Sequence, residues 1–371
     1  MSSTDKKVSW LELFFDLAFA GAVAEVGTTL SRDYTPDGLL RFAFLFVLIW
    51  SAWVGYTVFS SRHGTDDAVQ RLLTLAQMFA VATMAVNADG PLGGRDTAGF
   101  AAAYAAMRML LALQYVRARR QPASRAVSGA SAAGIGAGAV LWLASSLAGP
   151  PLRYGLWVAA LVVDLGWPLV VRNGKEQLQP DPGHLPERFG LFTLILLGES
   201  IIAVMAGMKQ QEHWSTPAAA SAAAGLAIAL ALWWCYFDVL KAAAPRPVRT
   251  RRDAALLHRW SLAHFPFCLG IALSATGVEH VITLDGSHPF AALQTAMLFG
   301  GMALVVGSLA VIASTAGRGI RALGPGLVLA GLLLALAPLA GGAGPVALLA
   351  ALLAAVLGQI EISRRAVRGS A

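Results

Sequence analysis

The sequence predicts an all-α integral membrane protein of about twelve transmembrane helices, and three observations carry that prediction. Of 371 residues, 57% are hydrophobic and 13% are charged, whereas a soluble domain has about 25% charged residues. Mean hydropathy is +0.63. Apolar runs of about 20 residues, the length that crosses a ~30 Å hydrocarbon core, recur from one end to the other.

Taken in order, the first span, 8–28, reads as a retained helix. Glu12 and Asp16 break what would otherwise be the uninterrupted apolar core of a cleavable leader. Spans two to four fall at 39–60, 69–88 and 98–117. The fifth, 131–149, is short and rich in Ala and Gly, and the sixth is 153–171. The longest polar stretch, roughly 172–187, separates it from span seven at 187–207. There "HLPERFG" reads as a helix start, with Pro186 at the first helical position and Glu187 in the first turn. The remaining spans are 217–240, 255–280, 289–311, 320–339 and 343–362. The last three hold almost no ionisable residue and read as scaffold. "GIGAGAV" and "FGGMALVVG" suit close helix packing. Cys235 and Cys268 lie inside apolar spans and read as packing residues rather than a disulfide.

Net charge is +7. The basic residues sit in short loops, where they set topology rather than hold a nucleic acid. If the N-terminus is cytoplasmic, 20 of the 28 Lys and Arg fall on the inner side and five outside, while Arg108, Arg188 and Arg259 fall within or at the edge of spans. Both termini are therefore expected inside.

The halves 1–172 and 173–371 look related. "ELFFDLAFAGAVAE" opens the first and "ERFGLFTLILLGES" the seventh span, while "WSAWVGY" parallels "LWWCY". Six spans per half gives both repeats the same membrane orientation, as in transporters built from parallel halves.

Charges inside a bilayer are costly, so they face the bundle interior and pair. Glu12 and Asp16 share one helical face a turn apart. Two like charges that close cannot both ionise cheaply, so a proton, a cation or a base is expected between them, with Arg108 or His264 as the base. Arg108 and Asp164 lie near the middle of spans four and six. Arg188 and Glu199, eleven residues apart, share a face of span seven. Tyr236 and Asp238 stand in "WWCYFD", His264 in span nine, and Glu279 with His280 at that span's outer end. The candidate site set is therefore Glu12, Asp16, Arg108, Asp164, Glu187, Arg188, Glu199, Tyr236, Asp238, His264 and Glu279. HExxH, DDxxD and P-loop patterns are absent, so no metal or cofactor is specified.

Together "ELFFDLAFAGAVAEV", "HLPERFGLFTLILLGESIIAV", "ALWWCYFD" and "HFPFCLGIALSATGVEH" resemble the bacterial low-temperature-requirement protein A family. The resemblance implies a multi-pass protein of the bacterial inner membrane. It supports Glu12, Asp16, Arg108, His184, Glu187, Arg188, Glu199, Asp238, His264 and Glu279 as matched polar positions, and implies no reaction. Twelve spans in two halves, with acids and bases within them, favour a transporter, proton-coupled through these acids. The alternative is an intramembrane enzyme acting on a lipid or isoprenoid-like substrate, with a buried acid and an aromatic lining. A membrane stress factor without turnover is the third reading.

Overall fold

The computed structural model describes residues 8–63, 66–88, 97–172, 181, 183–211, 213–240, 250–284, 290–315 and 319–368. The basic loop residues Lys6, Lys7, Arg95, Lys175, Lys241, Arg246, Arg249 and Arg318 lie outside these. Twelve α-helices follow in order among the described residues: α1 (Trp10–Arg32), α2 (Pro36–Arg62), α3 (Ala68–Val86), α4 (Ala98–Ala118), α5 (Arg125–Leu147), α6 (Leu152–Arg172), α7 (His184–Lys209), α8 (Thr216–Trp233), α9 (Arg251–Leu284), α10 (Ala292–Ala313), α11 (Leu323–Leu336) and α12 (Pro345–Arg368). A π-helical segment, Trp234–Val239, continues α8, and a 3₁₀ segment, Ala337–Gly342, continues α11. Eleven of these elements are long and apolar enough to cross a membrane. Their apolar flanks are exposed at residues such as Phe14, Leu72, Phe79 and Leu332. The protein is a multi-pass membrane protein whose surroundings are lipid.

Helix starts are set by local chemistry. Ser9 and Glu12 form a reciprocal cap on α1: Glu12 Oε2 accepts from the Ser9 amide at 2.9 Å, and Ser9 Oγ accepts from the Glu12 amide at 3.3 Å. Asp67 caps α3 by accepting from the Gln70 amide at 3.0 Å, and it also accepts from Arg117. The Arg117 contact holds the Asp67 carboxyl below its ordinary value. Ser215 caps α8, and a Thr250–Asp253 box opens α9. On α7 the helix begins at His184, before Pro186, because Asp181 Oδ1 accepts from the Gly183 and His184 amides at 2.9 and 2.8 Å. Pro186 therefore lies inside the first turn rather than at its first position.

The chain divides into two compact units, Met1–Thr29 with Leu40–Arg188, and Leu30–Leu39 with Phe189–Ala371. In the first, glycines on one face of α5 allow close approach to α6. A Cβ at Gly134 would strike the Trp167 ring, and one at Gly138 would strike the Asp164 carboxylate. In the second, α9 and α10 meet so closely that a Cβ at Gly270 would lie 2.6 Å from the Gly301 carbonyl. Cys235 and Cys268 are free and buried there. Gly138→Val should displace Asp164 and destabilise the protein by about 1–3 kcal/mol, the range for an overpacked core. The unfolding midpoint in detergent, followed by tryptophan fluorescence, checks this; an unchanged midpoint contradicts the packing described.

Candidate functional site

Two charged clusters lie inside the first unit. One is built from the first two turns of α1 and α7 and the second half of α2. Asp16 has no solvent exposure, nor does Arg188. The Arg188 guanidinium grips the Asp16 carboxylate in a fork: Nε donates to Oδ2 at 2.9 Å, and Nη2 donates to Oδ1. Trp53 Nε1 donates to Asp16 Oδ1 at 2.7 Å, and Arg188 Nη1 donates to Ser60 Oγ at 3.2 Å. Glu12 completes the group. Its Oε1 lies 3.4 Å from Arg188 Nη1 and 3.2 Å from His184 Nε2. Both oxygens of Asp16 are thus taken, and its base is Arg188. The expected partners, Arg108 and His264, are engaged elsewhere. No periodicity linked α1 to a residue 172 positions away, so the pairing was not visible along either helix.

The second cluster lies at mid-helix. Arg108 Nη2 donates to Asp164 Oδ1 at 2.6 Å, with both side chains almost wholly buried. Trp142 Nε1 donates to Asp164 Oδ2 at 3.1 Å. Tyr104 packs edge-on against Trp142, their centroids 4.7 Å apart, and its hydroxyl bonds Ser51 at 2.9 Å. Gly55 of α2 sits against this pair, where a Cβ would lie 3.4 Å from Arg108 Nη1.

The remaining candidates lie apart from these clusters. Glu187 is exposed and accepts from the Val8 amide at 3.4 Å. In the second unit, His264 is buried with both ring nitrogens occupied. Nδ1 lies 2.7 Å from the Trp260 carbonyl and Nε2 lies 2.8 Å from the Tyr236 hydroxyl. Only a neutral ring with its proton on Nδ1 donates to that carbonyl while accepting from the tyrosine. Phe189, Trp260 and Phe267 surround it. Tyr236 and Asp238 both lie on the π-helical segment, Tyr236 buried and Asp238 exposed, where Asp238 accepts from Trp234 Nε1 at 2.8 Å. Glu199 and Glu279 are partly buried and lie within electrostatic reach of each other. Gln210 donates to Glu279 at 3.2 Å.

Sequence reasoning passed over a row of neutral polar groups on α3. Gln70, Thr74 and Gln77 are all buried. Their spacing of four and three residues places them on one face of an otherwise apolar span. That spacing was the available signal, and it lacked a charge to draw attention. Among the described residues, no group of three or more His, Cys, Asp or Glu is placed to hold a metal ion.

The model of the bacterial low temperature requirement A protein (LtrA) family matches residues 7–360. An uncharacterized protein of Rhizobium meliloti (strain 1021) is 31% identical over 303 residues, covering 78% of this chain and 72% of that protein.

Proposed function

The chain belongs to the bacterial low temperature requirement A family, and from that premise we propose that it is a proton-coupled transporter of the cell membrane with both termini cytoplasmic. The observation that carries the reading is the charge count of the buried cluster on α1 and α7. Two acids, Glu12 and Asp16, face one permanently charged base, Arg188. These three groups carry one net negative charge between them. One proton brings it to zero, and a dry site favours the neutral sum. Asp16 is saturated by Arg188 and Trp53, so the proton belongs at Glu12, whose Oε1 pairs with His184 Nε2 at 3.2 Å. A bound solute that disturbs this pair changes its proton occupancy, which couples the two, and with no solute bound the pair still passes protons down an imposed gradient. The related openings of α1 and α7, and six helices in each half of the sequence, support parallel halves and hence transport. Glu199 and Glu279 are the further cation-binding candidates.

Chemistry on a lipid-like substrate draws less support. The aromatic cluster that would serve it holds His264 with both nitrogens already bonded.

Asp16→Asn tests the reading. It keeps the shape and the Trp53 bond but removes the unbalanced charge. In vesicles of phosphatidylethanolamine and phosphatidylglycerol with a pH-sensitive dye inside, an imposed pH gradient should drive proton uptake through the wild type. The variant should fall to the rate of protein-free vesicles. Wild-type uptake no faster than protein-free vesicles would sink proton coupling.

A further inference from the structure

The α2–α3–α4 packing carries buried polar atoms that the ion pairs do not use. Tyr56 lies beneath the first cluster, with the Arg188 guanidinium 5.6 Å from its ring centre. Its hydroxyl bonds Thr74 Oγ1 at 3.1 Å. Across the seam, Gln114 Nε2 reaches the same Thr74 oxygen at 3.5 Å. One turn along α3, Gln77 Nε2 donates to the Met107 carbonyl at 3.4 Å, next to Arg108 of the second cluster. Each amide bonds through its nitrogen this way. Gln77 Oε1, Gln114 Oε1 and Arg108 Nε have no hydrogen-bond partner among the described residues. Gln77 is 1%, Gln114 0% and Arg108 4% exposed.

Two acceptors and one donor without partners, inside a membrane span, are each costly. Helix-to-helix adhesion alone accounts for the amide N–H bonds but not for the amide oxygens. Guests that donate to the oxygens and accept from the guanidinium satisfy these atoms, and water is the smallest molecule that does both. We propose that the α3–α4 seam binds internal water, and that this water joins the Asp16–Arg188 cluster to the Arg108–Asp164 pair as the path of the transported proton. The second half of this rests on the proton-coupled reading above. Each water accepts a proton on one side and releases one on the other, so nothing is consumed.

X-ray radiolysis tests the first half without any transport measurement. Hydroxyl radicals formed from bound water oxidise the side chains beside them. Met107, only 2% exposed, borders the seam, and Met302, 0% exposed, lies in the second unit. In the wild type, Met107 should oxidise several-fold faster than Met302. Equal rates would overturn the water site. In Gln77→Leu/Gln114→Leu, Met107 should slow to the Met302 rate; unchanged labelling also overturns it. The dye-loaded vesicles then test the path. Loss of both labelling and proton uptake in the double variant supports it. Loss of labelling with wild-type uptake overturns the path while leaving the proposed function standing. Wild-type vesicles that take up no protons sink the proposed function and the path with it, and the labelling result alone then decides the water site.

Discussion

Replacing Arg188 with Met should destabilise the protein by about 3–5 kcal/mol, the range for a buried ion pair that loses one member. Two carboxylates would be left facing each other in a dry site, where Arg188 now bonds Asp16 twice and also contacts Glu12 and Ser60. Much of that cost is the stranded charge rather than lost attraction. Adding Asp16→Asn to Arg188→Met should therefore recover most of the stability, because a neutral amide is far cheaper to bury. Unfolding midpoints of the two single variants and the double variant in detergent give the coupling directly. Additive losses would mean that the pair does not interact as described.

The second large effect is at mid-membrane. Arg108→Met should also cost about 3–5 kcal/mol, since it leaves Asp164 charged and buried without its cationic partner. Here the rescue differs. Arg108→Met with Asp164→Leu replaces an ion pair by apolar side chains of comparable bulk, an exchange that is often neutral or stabilising. The residual loss should be about 1–3 kcal/mol, from the buried Trp142 N–H left without its acceptor. A double variant no more stable than Arg108→Met alone contradicts this account. Expression and monodispersity on size exclusion accompany both series, so that failed insertion is separated from lost pairing.

These expectations show where the sequence was readable. The helices were, because each apolar run is long enough to be a span and nothing else. Their ends moved where polar chemistry outside the run sets them. The helix expected at 255–280 runs from Arg251 to Leu284, because the Thr250–Asp253 cap lies in a charged segment that hydropathy discards. The helix expected at 131–149 begins at Arg125 for a similar reason: its first turn is polar and small. That Glu12 and Asp16 need a proton, a cation or a base between them followed from their spacing on one turn. Which base did not, since several arginines in the spans were equally eligible by sequence, and only the fold brings α7 beside α1. Glu12 also belongs to an S-x-x-E helix cap, a pattern legible at Ser9 that its apolar flanks obscured. The α3 row of Gln70, Thr74 and Gln77 needed a search for neutral polar spacing rather than for charge.

The π-helical end of α8 has a consequence for length. A π turn closes its hydrogen bonds over five residues instead of four, as Leu240 N to Cys235 O does at 3.0 Å. Trp234–Val239 therefore stores one residue more than an ordinary helical turn would hold. A single deletion inside it can be absorbed by reverting to α winding, so the span would keep its reach across the bilayer. Facing inside the segment would not survive. A deletion at Trp234 or Cys235 would shift the side chains within it by one position, carrying Tyr236 off His264. In "WWCYFD" the number of letters is as much a constraint as their identity, and relatives that lack one of them should have lost the tyrosine–histidine bond while keeping the helix.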